Sequence, residues 1–277
     1  MYCSSNFKTF KNFSNYKQEN FPVGSRLLSK KIRPQILIFY KFARAADDIA
    51  DSPNLAPHEK IKRLNLFVKA ITTSKTKISK VEDLKKICIK NKIKINHAAN
   101  LLKAFKQDAV KKRYKNWSEL INYCKHSAVP VGRFVIDLHN ENKTSYKFSD
   151  PLCIALQILN HIQDCKEDYS KINRVYLPSS FLEKYNVKLS QLKKDYTEKN
   201  LRLAINETLF HTEKLIKQAE KFKKIMTNHR LSKETIFILE IAKSLLKLLK
   251  KKDPLKNKVV LNKFDYIKCL AKAFFNY

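Results

Sequence analysis

Apolar residues recur at helical spacing along most of the chain. Ile36, Phe39, Phe42, Ala43 and Ala46 mark one such face, and Pro34 suits its first turn, so a helix is predicted over 34–51. Ser52-Pro53-Asn54 ends it, and Pro57-His58-Glu59 opens the next, to about 72. A loop over 74–80 precedes helices at 81–90 and 95–112. Trp117-Ser118-Glu119 opens another that runs to His139, with Pro130 and Gly132 kinking its middle. Ser149-Asp150-Pro151 reads as a cap for the following helix. A short helix after Pro178 and long ones at 199–227, 232–251 and 259–275 complete the pattern, the last rich in Phe and Tyr. Residues 1–20 read as a loosely ordered polar lead-in, followed by a short element from Phe21 to Leu28. No strand-like alternation recurs, and 2 Gly with 8 Pro are too few turn formers for a sandwich or barrel. The chain reads as all-α. No linker or repeat separates two cores, so residues 1–277 are expected to form a single domain.

Two helices depart from the simple apolar pattern. Asp164 and Asp168 are four apart, which on a helix sets both carboxylates on one face. Asn160 and Gln157 continue that stripe backward among Leu156, Ile158, Leu159 and Ile162. Asp47 and Asp51 repeat the spacing, with Arg44 and Tyr40 extending their stripe. Like charges so placed destabilise a helix by roughly 0.2–0.5 kcal/mol. One pair alone would suit a solvated helix end. Two pairs on apolar helices, each in register with polar residues one turn away, suit a negative pocket filled by cations. Mg²⁺ fits, because it takes one or two carboxylates per ion and completes its shell with water and substrate phosphates. His161, at about 100° from Asn160 on the helix, is expected to point away from the stripe, into core or solvent.

Charge adds a question. The formal net charge is +32, yet the lysines are spread over almost every helix and cluster only briefly, as in Lys250-Lys251-Lys252. Compositional bias toward Lys, Ile and Asn accounts for much of this. A basic surface also favours peripheral contact with anionic membrane, at ~1 kcal/mol per well-placed charge. Nucleic acid is not expected as a partner, for want of a concentrated basic patch. The 6 cysteines show no C-x-x-C spacing and read as small buried apolar residues of a reducing compartment. The start is not that of a signal peptide, and no apolar run reaches the ~18 residues of a membrane span, so a cytoplasmic protein, peripheral on the inner membrane at most, is expected.

Taken in order, four motifs carry a resemblance. They are Tyr40-x-x-x-Arg44 before Asp47 and Asp51; Tyr123-Cys124-x-x-Ser127-Ala128-x-Pro130-Val131-Gly132-Arg133; Gln157-x-x-Asn160-x-x-Gln163-Asp164-x-x-x-Asp168; and Arg174-Val175-Tyr176-Leu177-Pro178. Over roughly residues 18 to 185 the chain resembles the squalene/phytoene synthase family. Glu19-Asn20-Phe21-Pro22-Val23, the run from Ala43 to Pro53, Gln107-Asp108 with Arg113-Tyr114, and the run from Asn122 to Arg133 look most like its hydroxysqualene synthase branch, of bacterial hopanoid pathways. Many relatives carry Ser-x-Ser-Phe where this chain has Gln18-Glu19-Asn20-Phe21, a departure that agrees with that branch.

The resemblance implies an all-α isoprenoid synthase fold, with helices around a central apolar cavity. Asp47 and Asp51 on one wall, with Asp164 and Asp168 on the other, would hold Mg²⁺ against a diphosphate. Arg44, Arg174, Tyr40, Gln157 and Asn160 would bind the substrate, and Tyr123 and Tyr176 are the catalytic candidates. Phe39, Phe42, Phe134 and Leu138 are candidates for the apolar wall, with plain core as the simpler role for each. His126 is a candidate for a supporting place behind the site, and Arg133 for cavity or solvent. The implied reaction takes presqualene diphosphate and water to hydroxysqualene and diphosphate, with no NAD(P)H. The alternatives are head-to-head prenyl transfer from farnesyl diphosphate or its longer analogue, as in squalene and phytoene synthases, and an inactive relative serving in assembly. Upstream and downstream enzymes of the squalene pathway are the implied protein partners. A basic helical nucleic-acid binder would instead show a salt-sensitive, Mg²⁺-independent shift of DNA.

Overall fold

The computed structural model describes residues 24–73 and 75–275, apart from the side chains of 223 and 224. The polar lead-in and the run from Gln18 to Val23 lie outside the described residues. The described residues form twelve α-helices: α1 (Arg33–Asp51), α2 (Pro57–Thr72), α3 (Ser79–Lys90), α4 (Asn96–Val110), α5 (Trp117–Ser127), α6 (Val129–Leu138), α7 (Tyr146–Gln163), α8 (Cys165–Ile172), α9 (Ser179–Lys184), α10 (Lys199–Ala219), α11 (His229–Lys251) and α12 (Lys263–Phe275). No strand occurs among the described residues, only an isolated parallel bridge between Arg113 and Val175.

Local chemistry accounts for most boundaries. Pro34 stands in the first turn of α1 and Pro57 opens α2, where a missing N–H costs nothing. Asn116 caps α5, its side chain accepting from Glu119 N–H at 3.0 Å. The expected long helix over 117–139 is broken at Ala128 into α5 and α6, with Pro130 in the first turn of the second. A predicted cap did not hold. α7 begins at Tyr146 and carries Pro151 inside it, because Asp150 is engaged elsewhere, taking both Arg133 Nε at 2.9 Å and Nη2 at 2.5 Å. The described part of the short element before α1, from Gly24 onward, forms turns. α10 stops at Ala219 and yields to a 3₁₀ turn over Glu220–Lys224.

Buried apolar side chains gather in two clusters. One is built by α1 to α4 with Phe134 and Leu138 of α6, the other by α5, α7, α10, α11 and α12. Each fully buried Leu or Phe contributes about 1.5–3 kcal/mol, so residues such as Phe42, Leu64, Leu159 and Leu245 hold the walls rigid. Between the walls runs a cavity of about 370 Å³. α6 and α7 meet closely at Gly132, where an added Cβ would lie 2.5 Å from Cys153 Sγ and 2.6 Å from Ser149 Oγ. That contact forms part of the cavity lining.

Candidate active site

The acid pairs occupy opposite walls because each helix turns one polar stripe away from its own core. On α1, Phe39, Phe42, Ala46 and Ala50 are buried, while Tyr40, Arg44, Asp47 and Asp51 line the cavity. On the facing wall Leu156, Gln157, Asn160, His161, Asp164 and Asp168 line it. Tyr123, Arg174 and Tyr176 line it too, so the eleven metal, substrate-binding and catalytic candidates share one cavity. Asp164 interrupts the helix between α7 and α8. The turn nonetheless carries through, as Asp164 N–H donates to Asn160 O at 3.0 Å and Asp168 N–H to Asp164 O at 2.8 Å. The two carboxylates therefore remain one turn apart.

Cations already sit on these acids. Arg44 Nη1 lies 3.2 Å from Asp47 Oδ2 and its Nε 3.1 Å from Asp48 Oδ1. Arg174 Nη1 lies 3.0 Å from Asp51 Oδ1. Lys258 Nζ lies 2.8 Å from Asp164 Oδ1. Gln163 helps to place that lysine, by donating from its buried amide to Val259 O.

Behind the acids lies a buried polar knot that the sequence pattern did not assign. Asp108, on α4, is 4% exposed. It accepts from Tyr123 Oη at 2.8 Å and from Tyr176 Oη at 3.3 Å. Arg174 donates to Asp108 O and to Tyr176 Oη, both at 3.0 Å. The chain reaches this arrangement through Asn173, whose left-handed conformation (φ 52°) ends α8 and turns Arg174 inward. Arg113 fixes the turn, donating to Asn173 O at 2.5 Å and to its Oδ1 at 2.7 Å. Val175 N–H then bonds Lys112 O and Ser179 N–H bonds Tyr114 O. Asp108 and Arg174 are thereby brought together from distant parts of the sequence.

Burial dominates the electrostatics here. It lifts Asp108 to about 6 against the pull of Arg174, with Asp51 adding repulsion. Asp168 is pushed well above the usual carboxylate range, first by burial and then by the charge of Asp164. The Tyr123 and Tyr176 phenols are raised by burial and by Asp108, so both stay protonated donors at neutral pH. Burial opposes charge on Arg174, but Tyr176, Asp108 and Asp51 outweigh it and keep the guanidinium charged.

His161 corrects an expectation. Its ring stacks on Tyr176, with centroids 3.4 Å apart and planes at 11°, and it lines the cavity. A residue 100° from Asn160 still falls inside a stripe of this width. Burial, reinforced by Arg174, pushes its pKa well below the usual value, so the imidazole is neutral. Of the four wall candidates, Phe39 lines the cavity, while Phe42, Phe134 and Leu138 pack in the core behind it. Phe39 stacks on Phe134, with centroids 4.0 Å apart. His126 and Arg133 belong to a different groove, on the other side of α5 and α6.

Among the described residues no three carboxylate, imidazole or thiol groups converge tightly enough to hold an ion unaided. The paired carboxylates suit Mg²⁺, which needs only one or two carboxylates per ion. The repulsion of Asp164 on Asp168 is what a bound dication would relieve. Oxygen donors on two walls, an apolar chamber beside them and protonated tyrosines at the junction can accept a diphosphate headgroup with its hydrocarbon tail.

Comparison with known proteins agrees. Residues 15–265 match the squalene/phytoene synthase family. A hydroxysqualene synthase of Zymomonas mobilis is 37% identical over 252 residues, which cover 90% of this chain and 85% of the relative. One from Sinorhizobium fredii is 34% identical, over 91% and 86%. In fold, the chain is similar to a ligand-bound dehydrosqualene synthase, with a TM-score of 0.78, 19% identity, and 90% and 88% of the two chains covered. A squalene synthase from Alicyclobacillus acidocaldarius gives a TM-score of 0.71 at 22% identity, covering 81% of this chain and 85% of that one. With matches along nine-tenths of its length to relatives above 30% identity, the chain belongs to the squalene/phytoene synthase family and is an isoprenoid synthase.

Proposed function

We propose that the enzyme converts presqualene diphosphate and water to hydroxysqualene and diphosphate, with Mg²⁺ and without NAD(P)H. The observation that carries this reading is that both acid stripes line one largely apolar cavity. The names of its relatives support the branch. Asp47 and Asp51 on one side, with Asp164 and Asp168 on the other, hold the metal. Bound Mg²⁺ supplies Lewis-acid neutralisation of the charge that develops on the leaving diphosphate.

The remaining work belongs to side chains. Arg44, Arg174 and Lys258 lie within reach of the same headgroup; Arg44 and Lys258 exchange carboxylate for phosphate partners when it arrives, while Arg174 keeps its contacts. Tyr40, Gln157 and Asn160 fix the headgroup's orientation. Loss of diphosphate breaks a C–O bond and leaves a cyclopropylcarbinyl cation. Leu152, Leu156, Phe39 and Phe105 offer that cation apolar walls that exclude bulk water. It rearranges, one water adds at carbon, and the new oxonium loses a proton. Tyr123 already donates to Asp108, so it can take that proton while passing its own to the carboxylate. Tyr176, held by Arg174 and Asp108, keeps the relay in place.

Both apolar clusters contribute to the one cavity, which supports reading residues 1–277 as a single domain. No helix among the described residues is long and apolar enough to cross a membrane. The proposed setting is cytoplasmic, with peripheral contact to anionic membrane and with enzymes that supply presqualene diphosphate and consume the alcohol as pathway partners. Incubation of the purified protein with Mg²⁺ and, separately, presqualene, farnesyl and geranylgeranyl diphosphate tests the reading by mass analysis of the lipid extract. A C30 alcohol from presqualene diphosphate is expected. A hydrocarbon from farnesyl diphosphate, a C40 product or no diphosphate release would overturn it.

A further inference from the structure

α12 turns apolar residues outward as well as inward. Its start is fixed by a reciprocal cap, in which Asp265 N–H donates to Asn262 Oδ1 at 2.9 Å and Asn262 N–H to Asp265 Oδ2 at 3.0 Å. Cys269 and Ala273 are buried against the core, with Tyr266 and Leu270 packed beside them. The helix therefore has all the core contact it needs from one face. On the other, Phe264, Ile267, Phe274 and Phe275 are 75%, 56%, 51% and 85% exposed. At 100° per residue these four fall within a stripe about 100° wide, with Ala271 at its centre.

Charge borders that stripe. Lys268 lies along one edge and Lys263 along the other, while Lys272, beside Lys268, is held by Glu240 of α11 at 2.8 Å. Lys233 of α11 stands over the Phe274 ring, 5.0 Å from its centroid. The sole acid of the helix, Asp265, is used in the cap. Four apolar side chains on one 13-residue helix fall well short of the roughly 20–30 residues a side of a stable protein interface. They are sufficient for a helix lying in a lipid surface, with apolar residues below the headgroups and lysines among the phosphates. A net charge of +32 favours an anionic surface over a neutral one.

We propose that α12 is the membrane-docking surface, inserting Phe264, Ile267, Phe274 and Phe275 into an anionic bilayer while Lys263 and Lys268 meet lipid phosphates. This deepens the peripheral membrane contact proposed above and rests on it.

The test is cosedimentation of the full chain with vesicles of phosphatidylglycerol and phosphatidylcholine, against phosphatidylcholine alone. Binding to the anionic vesicles is expected, weakening as salt rises. The double variant Phe264→Ser/Phe275→Ser should bind at least tenfold more weakly. Lys263→Gln/Lys268→Gln should lose about 25-fold at low salt, taking about fivefold per lysine. All four positions are exposed, so an unchanged thermal melt serves as the folding control. Wild-type binding that survives both double variants would overturn α12 as the surface and leave the membrane contact standing. No binding by the wild type would overturn both. A concentration-dependent dimer that Phe264→Ser/Phe275→Ser dissolves would name a second copy as the occupant, and would overturn the proposal too.

Discussion

Asp108→Asn should stabilise this protein while disabling it. The carboxyl is 4% exposed, and burial lifts its pKa from 3.8 to about 6 despite Arg174. A rise of that size makes the ionised group cost the native state about 3 kcal/mol. The direction follows from proton binding. Between about pH 4 and 6 the native protein still holds a proton that the unfolded chain has released, so stability falls as pH rises through that window. Above it the whole cost is present. Asparagine keeps the size and one acceptor oxygen, but presents a donor to one of the two tyrosine hydroxyls, and losing that hydrogen bond returns about 1 kcal/mol. Arg174 retains Asp51 and Tyr176 as partners. The net gain is about 2 kcal/mol at pH 8, or about 4 °C in melting temperature for a chain of this size, and close to none at pH 4. Formation of the alcohol should fall about 100-fold or more, because an amide cannot take the proton that Tyr123 passes on. Thermal melts of both proteins at pH 4, 6 and 8, beside an assay of the lipid product, read all of this. A variant less stable at pH 8, or a difference between the two proteins that does not change with pH, would refute the reasoning.

Asp47→Asn and Asp164→Asn should each abolish Mg²⁺-dependent diphosphate release while leaving the melt within about 1 kcal/mol; full activity in either would remove its metal role. Lys258→Met frees Asp164 of a cation at 2.8 Å, so the Mg²⁺ concentration for half-maximal release should fall several-fold, and an unchanged or higher requirement would count against competition at that carboxylate. Gly132→Ala places a Cβ against Cys153 and Ser149 and should destabilise by about 1–3 kcal/mol through overpacking, measured as a lowered urea midpoint at constant slope.

Helical periodicity was enough to bring Tyr40, Arg44, Asp47 and Asp51 onto one face, and Gln157, Asn160, Asp164 and Asp168 onto another, because one angle per residue fixes which side chains share a face. It could also foresee that α5 and α6 would not run straight, since Pro130 cannot continue the hydrogen-bond ladder. Periodicity says nothing about what a lone residue meets across the fold. Asp108 has no acidic partner one turn away, and its importance comes from Tyr123, Arg174 and Tyr176, supplied by a loop pairing near Arg113 and Val175. Lys258 lies in an irregular segment that Gln163 ties down at Val259 and Lys166 at Leu255, and from there it reaches Asp164. Asp150 looked like a cap beside Pro151, but an arginine on the neighbouring helix claimed it. Local reading failed wherever a tertiary partner outweighed a local preference.

The cations on the acids also bear on how a chain of charge +32 can keep a carboxylate-lined cavity folded before any ligand enters. Leaving Asp47, Asp51 and Asp164 uncompensated on facing walls would invite repulsion that the apolar clusters would have to offset. Arg44, Arg174 and Lys258 remove most of it at separations of 2.8–3.2 Å. Arg174 cannot be a passive counterion, since its side chain is only 4% exposed and three further contacts fix its guanidinium. Arg44 and Lys258 are 24% and 30% exposed and can swing. On the proposed function this divides the labour. Arg174 stays, ordering Asp108 and Tyr176 in both states, while the two looser cations would move from carboxylate to diphosphate and leave Asp47 and Asp164 to hold the metal. A structure with diphosphate bound should therefore preserve every Arg174 contact behind the site and break the contact between Lys258 and Asp164; survival of that ion pair beside a bound diphosphate would contradict the exchange.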